Sequence, residues 1–319
     1  MIKDIPAVQY HADEVGVPLP TLSCSIAKIL LNQTPAHARL AHPKLNPDYE
    51  GGDKATRLDI GTACHALLLE GIDSVAVCEF ADWRTKAAQE ARDVARLEGK
   101  IPLLAKQYET VQKMSKIAKK SAFDAGFDLS TGKPEQTVIW QDGETWCRAR
   151  PDWLSDDRKL ILDYKTTELP SPKAWMRAMV GLGYDVQDEF YRRGVHSSTL
   201  GNKLCALPDF VFMVQQTFDP YGVFFVECSN TMREIASVKV DKALAIWSAC
   251  MKNDVWPCWS QDIHEAEATA WQLAEAEEIA AERENGNQAS EAFDNMMFAG
   301  VSKEAFLFGK VPEKARYQK

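Results

Sequence analysis

Apolar residues recur along this chain with two different periods, and the change between them separates helical flanks from a strand-rich middle. From Thr21 to Ala41 the pattern predicts two short helices, with Ser23 capping CSIAKILLN and Thr34-Pro35 opening PAHARLA. Residues 57–71, RLDIGTACHALLLEG, put Ile60, Cys64, Leu67 and Leu68 at helical spacing and end at Gly71. Between Arg84 and Phe127 two longer, charge-rich helical patterns are separated by a break at Gly99 to Pro102, and the second carries Lys113, Lys116, Lys119 and Lys120. A solvated helix face accounts for those lysines more readily than the alternative, phosphate contact.

Strand character begins at Glu135. EQTVIW and TWCRARP flank QDGE, and Asp142-Gly143 between two β-rich runs is a strong hairpin signal. KLILDYKTT then reads as a buried strand whose apolar run ends on an acid and a lysine. Ser171-Pro172 opens a helix at PKAWMRAMVGL, and Asp185 to Leu200 supplies another. Two further strands, Phe210 to Thr217 and Gly222 to Ser229, lead into a helix reaching roughly Lys252. The expected fold class is α/β (α+β), a small mixed central sheet flanked by helices. The end of the chain differs: WQLAEAEEIAAEREN is acidic and helical by propensity, GNQAS is a linker, and FDNMMFAGVSKEAFLFGK is rich in Phe and Met. The expected division is a domain over 1–263 and an acidic helix with an apolar tail over 264–319.

Composition narrows the function classes only modestly. Apolar residues make up 45% and charged residues 26% of 319, as in an ordinary globular protein. No run approaches the roughly 20 apolar residues of a membrane span, and MIKDIPAVQYHADEVG lacks a basic-then-apolar leader, so a cytoplasmic location is expected. The eight cysteines include no CxxC pair, which argues for reduced thiols rather than zinc or iron–sulfur ligands. A net charge of −9 argues at first against a nucleic-acid partner, but residues 264–319 hold 11 acids and 6 bases, leaving 35 acids and 31 bases for 1–263. A nearly neutral body can still line one groove with Lys and Arg.

The candidate chemistry sits between Thr145 and Thr167, where Asp152 precedes Asp163 by eleven positions and Lys165 follows two later. Alternation puts Asp163 and Lys165 on one strand face, and the turn Ser155-Asp156-Asp157-Arg158 brings Asp152 back beside them. Two carboxylates can hold a hard divalent cation while an ammonium meets charge developing on a phosphate, which is what metal-assisted phosphodiester cleavage requires. An acid–x–lysine pattern alone is usually nothing more than a strand end. Its place after a buried LIL run changes that, because Asp and Lys seldom lie there without partners. No GxxxxGK[ST] phosphate loop or HExxH zinc site is present.

Four segments in order, GTACHALLLEG, RARPDWL, LDYKTT and QDEFY, resemble the restriction-endonuclease-like PD-(D/E)XK nucleases, and within them the RecB-type exonucleases and the RecE (exonuclease VIII) group. The likeness spans roughly residues 9–262, including the opening YHADEVGVPLPTLSCSIAKILLNQTPAHARLAHP. It implies a restriction-endonuclease-like core in which His65, Asp152, Asp163 and the backbone carbonyl of Tyr164 ligate Mg²⁺ or Mn²⁺. Lys165 would orient the attacking water and stabilise charge. Glu135 occupies the place of a further acid near the metal, and Gln187 and Tyr191, one helical turn apart, would contact DNA. On the residues alone His65 reads first as a core histidine, which its place in the motif series reverses, and Gln187 and Tyr191 are equally packing groups. Arg148 and Arg150, at alternate positions beside Asp152, could bind phosphate or neutralise that acid.

The same resemblance implies a phage- or prophage-encoded exonuclease working in a bacterial cytoplasm on linear duplex DNA from 5′ ends. Its products would be 3′ single strands for a RecT-type annealing protein, and it would form a ring-shaped trimer or tetramer. A nuclease of the same fold acting on single strands or flaps, or a DNA-binding protein without catalysis, are the alternatives.

Overall fold

The structure, a computed structural model, describes residues 1–49, 60–199 and 206–284. In chain order the strands are β1 (Ile2–Lys3), β2 (Leu22–Ser23), β3 (Val75–Cys78), β4 (Ile101–Leu104), β5 (Gly132–Pro134) and β6 (Thr137–Asp142). They continue with β7 (Thr145–Ala149), β8 (Trp153–Ser155), β9 (Leu160–Thr167), β10 (Asp209–Gln216) and β11 (Val223–Val226). The helices are α1 (Ala7–His11), α2 (Cys24–Asn32), α3 (Pro35–Leu40), α4 (Ile60–Leu69), α5 (Lys86–Leu97), α6 (Ala105–Asp124), α7 (Pro172–Met179), α8 (Tyr184–Thr199), α9 (Asn230–Asn253) and α10 (Ala270–Glu284). The chain divides after Trp259 into Met1–Trp259 and Ser260–Lys319, and α10 belongs to the second unit. The linker GNQAS and the Phe- and Met-rich stretch lie outside the described residues.

Local signals act where the sequence places them. Ser23, Thr34 and Ser171 accept backbone N–H groups at the starts of α2, α3 and α7, with Pro in the first turn of the latter two. Gly71, at φ +97, follows α4 in a conformation that an L side chain resists. β6 and β7 form the expected hairpin, joined by Gly143 at φ +56. α8 passes close to that hairpin because Gly194 has no side chain: a Cβ there would lie 2.6 Å from the Trp140 ring.

A five-stranded mixed sheet, in the order β11-β10-β9-β8-β5, organises the first unit. β9 and β10 run parallel in continuous register, as strands linked by the α7–α8 crossover do. Their alternate residues enter two cores. Ile161, Phe210, Phe212 and Val214 pack with residues of α2, α7, α8 and α9. Leu162, Tyr164, Val211 and Met213 pack with residues of α4 and α6. Helices on both faces are why β9 and β10 read as unbroken apolar runs rather than alternating ones.

The five-stranded sheet is the small mixed central sheet that was expected, and further strands were not foreseen as sheets of their own. β1, β6, β7 and β2 form a second, four-stranded sheet, and β3 pairs with β4 in a parallel two-stranded one. Ile101–Leu104, expected only as a break between helices, is strand β4. The described cysteines are free thiols, buried except for Cys258. Lys113 pairs with Asp219 at 2.7 Å and Lys120 with Asp124 at 2.5 Å, so half of the α6 lysine cluster serves as ordinary surface ion pairs. Among the described residues no helix is long and apolar enough to cross a membrane.

Candidate active site

Three neighbouring strands deliver three acids side by side. β8 pairs antiparallel with β9, Trp153 facing Leu162, so one step further along the same register sets Asp152 opposite Asp163. β5 pairs with β8, Pro134 facing Trp153, and the Glu135 N–H donates to the Asp152 carbonyl at 3.1 Å. Glu135 itself turns out of β5 at φ +56, where the chain leaves one sheet for the other. It was expected as the first residue of a hairpin strand; it is instead the bend before β6, which aims its side chain at the site.

Each acid is held by particular partners. Asp152 Oδ2 accepts the Tyr164 N–H at 2.8 Å, which ties β8 to β9 at the site. Asp163, fully buried, pairs with the Lys165 ammonium through Oδ1 and accepts from Gln187 Nε2 through Oδ2 at 2.6 Å. α8 therefore enters the site from the face of the sheet that Asp163 and Lys165 share. From the other face α4 brings His65, whose Nε2 lies 3.2 Å from Asp152 Oδ1 and 3.3 Å from Glu135 Oε1. His65, Asp152, Asp163, Lys165 and Glu135, scattered over 101 positions of sequence, thus converge at one end of the sheet.

The electrostatics show too much negative charge in a small volume. Burial and the charge of Asp152 raise the Asp163 carboxyl to about 6, against the opposing pull of Lys165. Asp152 is held below the usual carboxylate range: burial would raise it, but Lys165, His65 and the Tyr164 N–H favour its charged form. Burial and Asp152 likewise raise Glu135, with Arg150 opposing. Burial disfavours the His65 imidazolium, yet its bond to Asp152 and the surrounding carboxylates push it up to about 9. Burial would lower Lys165, but Asp163 and Asp152 outweigh it and keep the ammonium charged.

An imidazole nitrogen among crowded carboxylate oxygens fits a divalent cation of the Mg²⁺ or Mn²⁺ class, which would relieve that repulsion. His65, Glu70 and Glu135 each offer a ligand atom within 4.8 Å of the others, so Glu70, at the end of α4, joins the candidates beside Asp152 and Asp163. Sequence reasoning missed Glu70, and its only signal was an acid directly after the apolar run containing His65. If such a cation binds, it displaces the His65 proton. Apparent Mn²⁺ affinity should then rise about tenfold per pH unit from about pH 6 to pH 9, more steeply below pH 6 where Asp163 is also protonated, and level off above pH 9. Calorimetric titration at several pH values in buffers of different ionisation enthalpy checks this; pH-independent affinity would remove His65 from the ligand set.

The arginines are held by partners of their own and also line the cavity beside His65. Arg148 is buried and donates to Asp13 at 2.7 Å and to the Thr21 carbonyl at 2.8 Å. Arg150 pairs with Glu135 and donates to the Ile5 carbonyl at 2.6 Å. Neither is a free surface cation, because both sit where β7 meets the N-terminal segment. Gln187 is buried and turned toward Asp163 instead of outward, so its first contact is an acid of the site. Tyr191, a turn further on, is partly buried with its ring centroid 6.1 Å from that of Phe210. It lines a cavity of about 360 Å³ together with Tyr10, Ser23, His65, Glu135 and Asp152. Tyr184, which the sequence did not single out, lies beneath Lys165, 5.4 Å from Nζ to ring centroid.

Comparison with known proteins agrees with this architecture. No protein of curated function matches the sequence. An Eubacterium rectale protein, provisionally named an exonuclease, has a similar fold, with a TM-score of 0.53 at 12% identity over 85% of this chain and 98% of that one. A phage-related exonuclease from Haemophilus somnus 129PT aligns over 60% of this chain and 95% of its own at 15% identity, with a TM-score of 0.29. Residues 23–269 match the family described as the PDDEXK-like domain of unknown function (DUF3799). That span contains both helical faces, the five-stranded sheet and every residue of the carboxylate cluster, and the chain belongs to this PDDEXK-like family.

Proposed function

We propose that this protein is a divalent-metal-dependent exodeoxyribonuclease of the RecE-like group, hydrolysing linear duplex DNA from 5′ ends to leave 3′ single strands. The observation that carries the reading is the meeting of His65 from α4 with Asp152 and Glu135, beside the Asp163–Lys165–Gln187 cluster. Asp152, Asp163, His65 and the Tyr164 carbonyl would hold the cation, with Glu135 and Glu70 as further oxygen donors. When bound, the cation supplies a Lewis acid for the phosphate and lowers the pKa of water. Lys165, kept protonated by Asp163, meets negative charge as it develops on the phosphate oxygens. Gln187 fixes the Asp163 carboxylate and so sets where that ammonium stands. The cavity beside His65, with Tyr10, Tyr191, Arg148 and Arg150 in its wall, offers the nucleotide next to the scissile bond aromatic and cationic surface.

The exonuclease activity, the polarity, the ring-shaped oligomer, the RecT-type partner and a recombination role in a phage or prophage rest on the RecE-like motifs, and the Eubacterium rectale protein of similar fold carries an exonuclease name. Digestion of end-labelled linear, nicked and covalently closed circular duplexes with Mg²⁺ or Mn²⁺ is the test. We expect loss of 5′ label from linear duplex and intact closed circles. Cutting of closed circles would refute the exonuclease reading, and preference for single strands or flaps would assign the alternative nuclease.

A further inference from the structure

Behind the carboxylate cluster lies a buried polar junction with no part in the chemistry so far. The Tyr164 hydroxyl donates to Gln215 Oε1 at 2.5 Å and touches Cys64 Sγ at 3.1 Å. Gln215, fully buried in β10, donates its amide hydrogens to the carbonyls of Met114 in α6 and Tyr221 before β11, each at 3.1 Å. Cys64 Sγ lies 3.9 Å from the same Gln215 oxygen. Every polar group of the junction has a partner, so its geometry is set in an otherwise apolar core. Burial keeps the Tyr164 phenol and the Cys64 thiol protonated, Cys64 up at about 11, so both remain neutral hydrogen-bonding groups.

Tyr164 reaches both halves of the site. Its backbone N–H fixes Asp152, while its side chain meets Cys64, the residue directly before His65 on α4. Its ring centroid lies 6.3 Å from that of His65. Helix α4 packs mainly through apolar contacts, which fix depth but not a helix's rotation or sliding; with the phenol hydrogen given to Gln215, the Cys64 S–H facing the Tyr164 oxygen at 3.1 Å supplies the direction they lack.

Resting on the metal-site reading above, we propose that the Gln215–Tyr164 hydrogen bond is a positioning device that sets α4 through Cys64 and so holds His65 against Asp152. Tyr164 and Gln215 act here as positioning residues, since neither side chain touches the reacting atoms.

The test uses the full chain with Tyr164→Phe, Gln215→Met and both together. In a metal-free crystal structure of Tyr164→Phe, the His65–Asp152 separation should open from 3.2 Å. Mn²⁺ affinity, measured by electron paramagnetic resonance, should fall about 10- to 100-fold, as it does when the partners that orient metal ligands are lost. The double variant separates positioning from mere stability. Because Gln215→Met alone strands the Tyr164 hydroxyl as well as the Met114 and Tyr221 carbonyls, the double variant should be more stable than Gln215→Met, while its Mn²⁺ affinity stays low. In a His65→Ala background Tyr164→Phe should cost no further affinity. An unchanged His65–Asp152 separation, or affinity that recovers together with stability in the double variant, would overturn the inference. If the separation opens but wild-type protein binds no Mn²⁺, the metal-site reading falls and the positioning of His65 stands.

Discussion

Asp163→Asn is expected to reduce metal-dependent DNA cleavage by more than about 10³-fold while leaving the protein folded. Asparagine keeps the shape of the side chain and can still accept from Gln187 Nε2, now at 2.6 Å from Asp163 Oδ2, but it loses the charge that pairs with Lys165 and would hold the cation. The pH dependence of stability has a definite sign. The folded carboxyl titrates at about 6, above the ordinary value near 4, so the folded state holds this proton more tightly than the unfolded chain. Its contribution therefore opposes folding increasingly from about pH 4 to pH 6, and fully above that. Bound cation should reverse that penalty. At a concentration about 100 times Kd, Mn²⁺ should stabilise the wild-type protein by about 2.7 kcal/mol at pH 8. The variant should gain nothing. Thermal unfolding of both proteins in Mn²⁺ and in EDTA decides it, and an equal Mn²⁺ shift in the variant would exclude Asp163 as a ligand.

Asp13→Ala should destabilise the fold by about 3–5 kcal/mol, the range for removing one partner of a buried ion pair. Asp13 is fully buried, and its carboxylate takes the Arg148 guanidinium, the Thr21 N–H at 3.0 Å and the Thr21 hydroxyl at 2.5 Å. His42 lies 3.5 Å away, but burial brings it down to about 4, so at neutral pH it adds no charge. Lys44, 3.7 Å from Asp13, is partly exposed and gives weaker compensation. Alanine would leave Arg148 charged inside the protein, and it would also place a side chain with no polar atom at φ +61, a region where Asp and Asn are better tolerated. Asp13→Asn combined with Arg148→Met should cost less than Asp13→Ala, because no buried charge is stranded. Urea unfolding midpoints measure the series; a loss under about 1 kcal/mol for Asp13→Ala would mean that Arg148 finds another partner.

The two residues also mark where sequence reading stopped. Arg148 and Arg150 stand at alternate positions next to Asp152, and the strand period alone allowed both phosphate binding and neutralisation of that acid. Their partners could not be read from that period: Asp13 and Thr21 take Arg148, Glu135 and Ile5 take Arg150, and both arginines still line the cavity beside His65. Gln187 could likewise have packed or faced outward, and it is the arrival of α8 on the Asp163 face of the sheet that turns it onto the acid. Glu70 had almost no local signal, since a helix-terminal acid becomes a candidate ligand only once α4 lies beside Glu135.

What the sequence determined by itself is what short-range geometry controls. The two-residue period of LILDYKTT put Asp163 and Lys165 on one face, the apolar run buried β9, Asp142-Gly143 turned the hairpin, and Ser23, Thr34 and Ser171 began their helices. Only the tertiary structure decided how strands share out between sheets, which arginine meets which acid, and how His65 reaches Asp152 across 87 positions. The reason is physical: periodicity and capping are settled within a few residues, whereas strand register, helix rotation and the pairing of buried charge are settled by packing between segments that the sequence holds far apart.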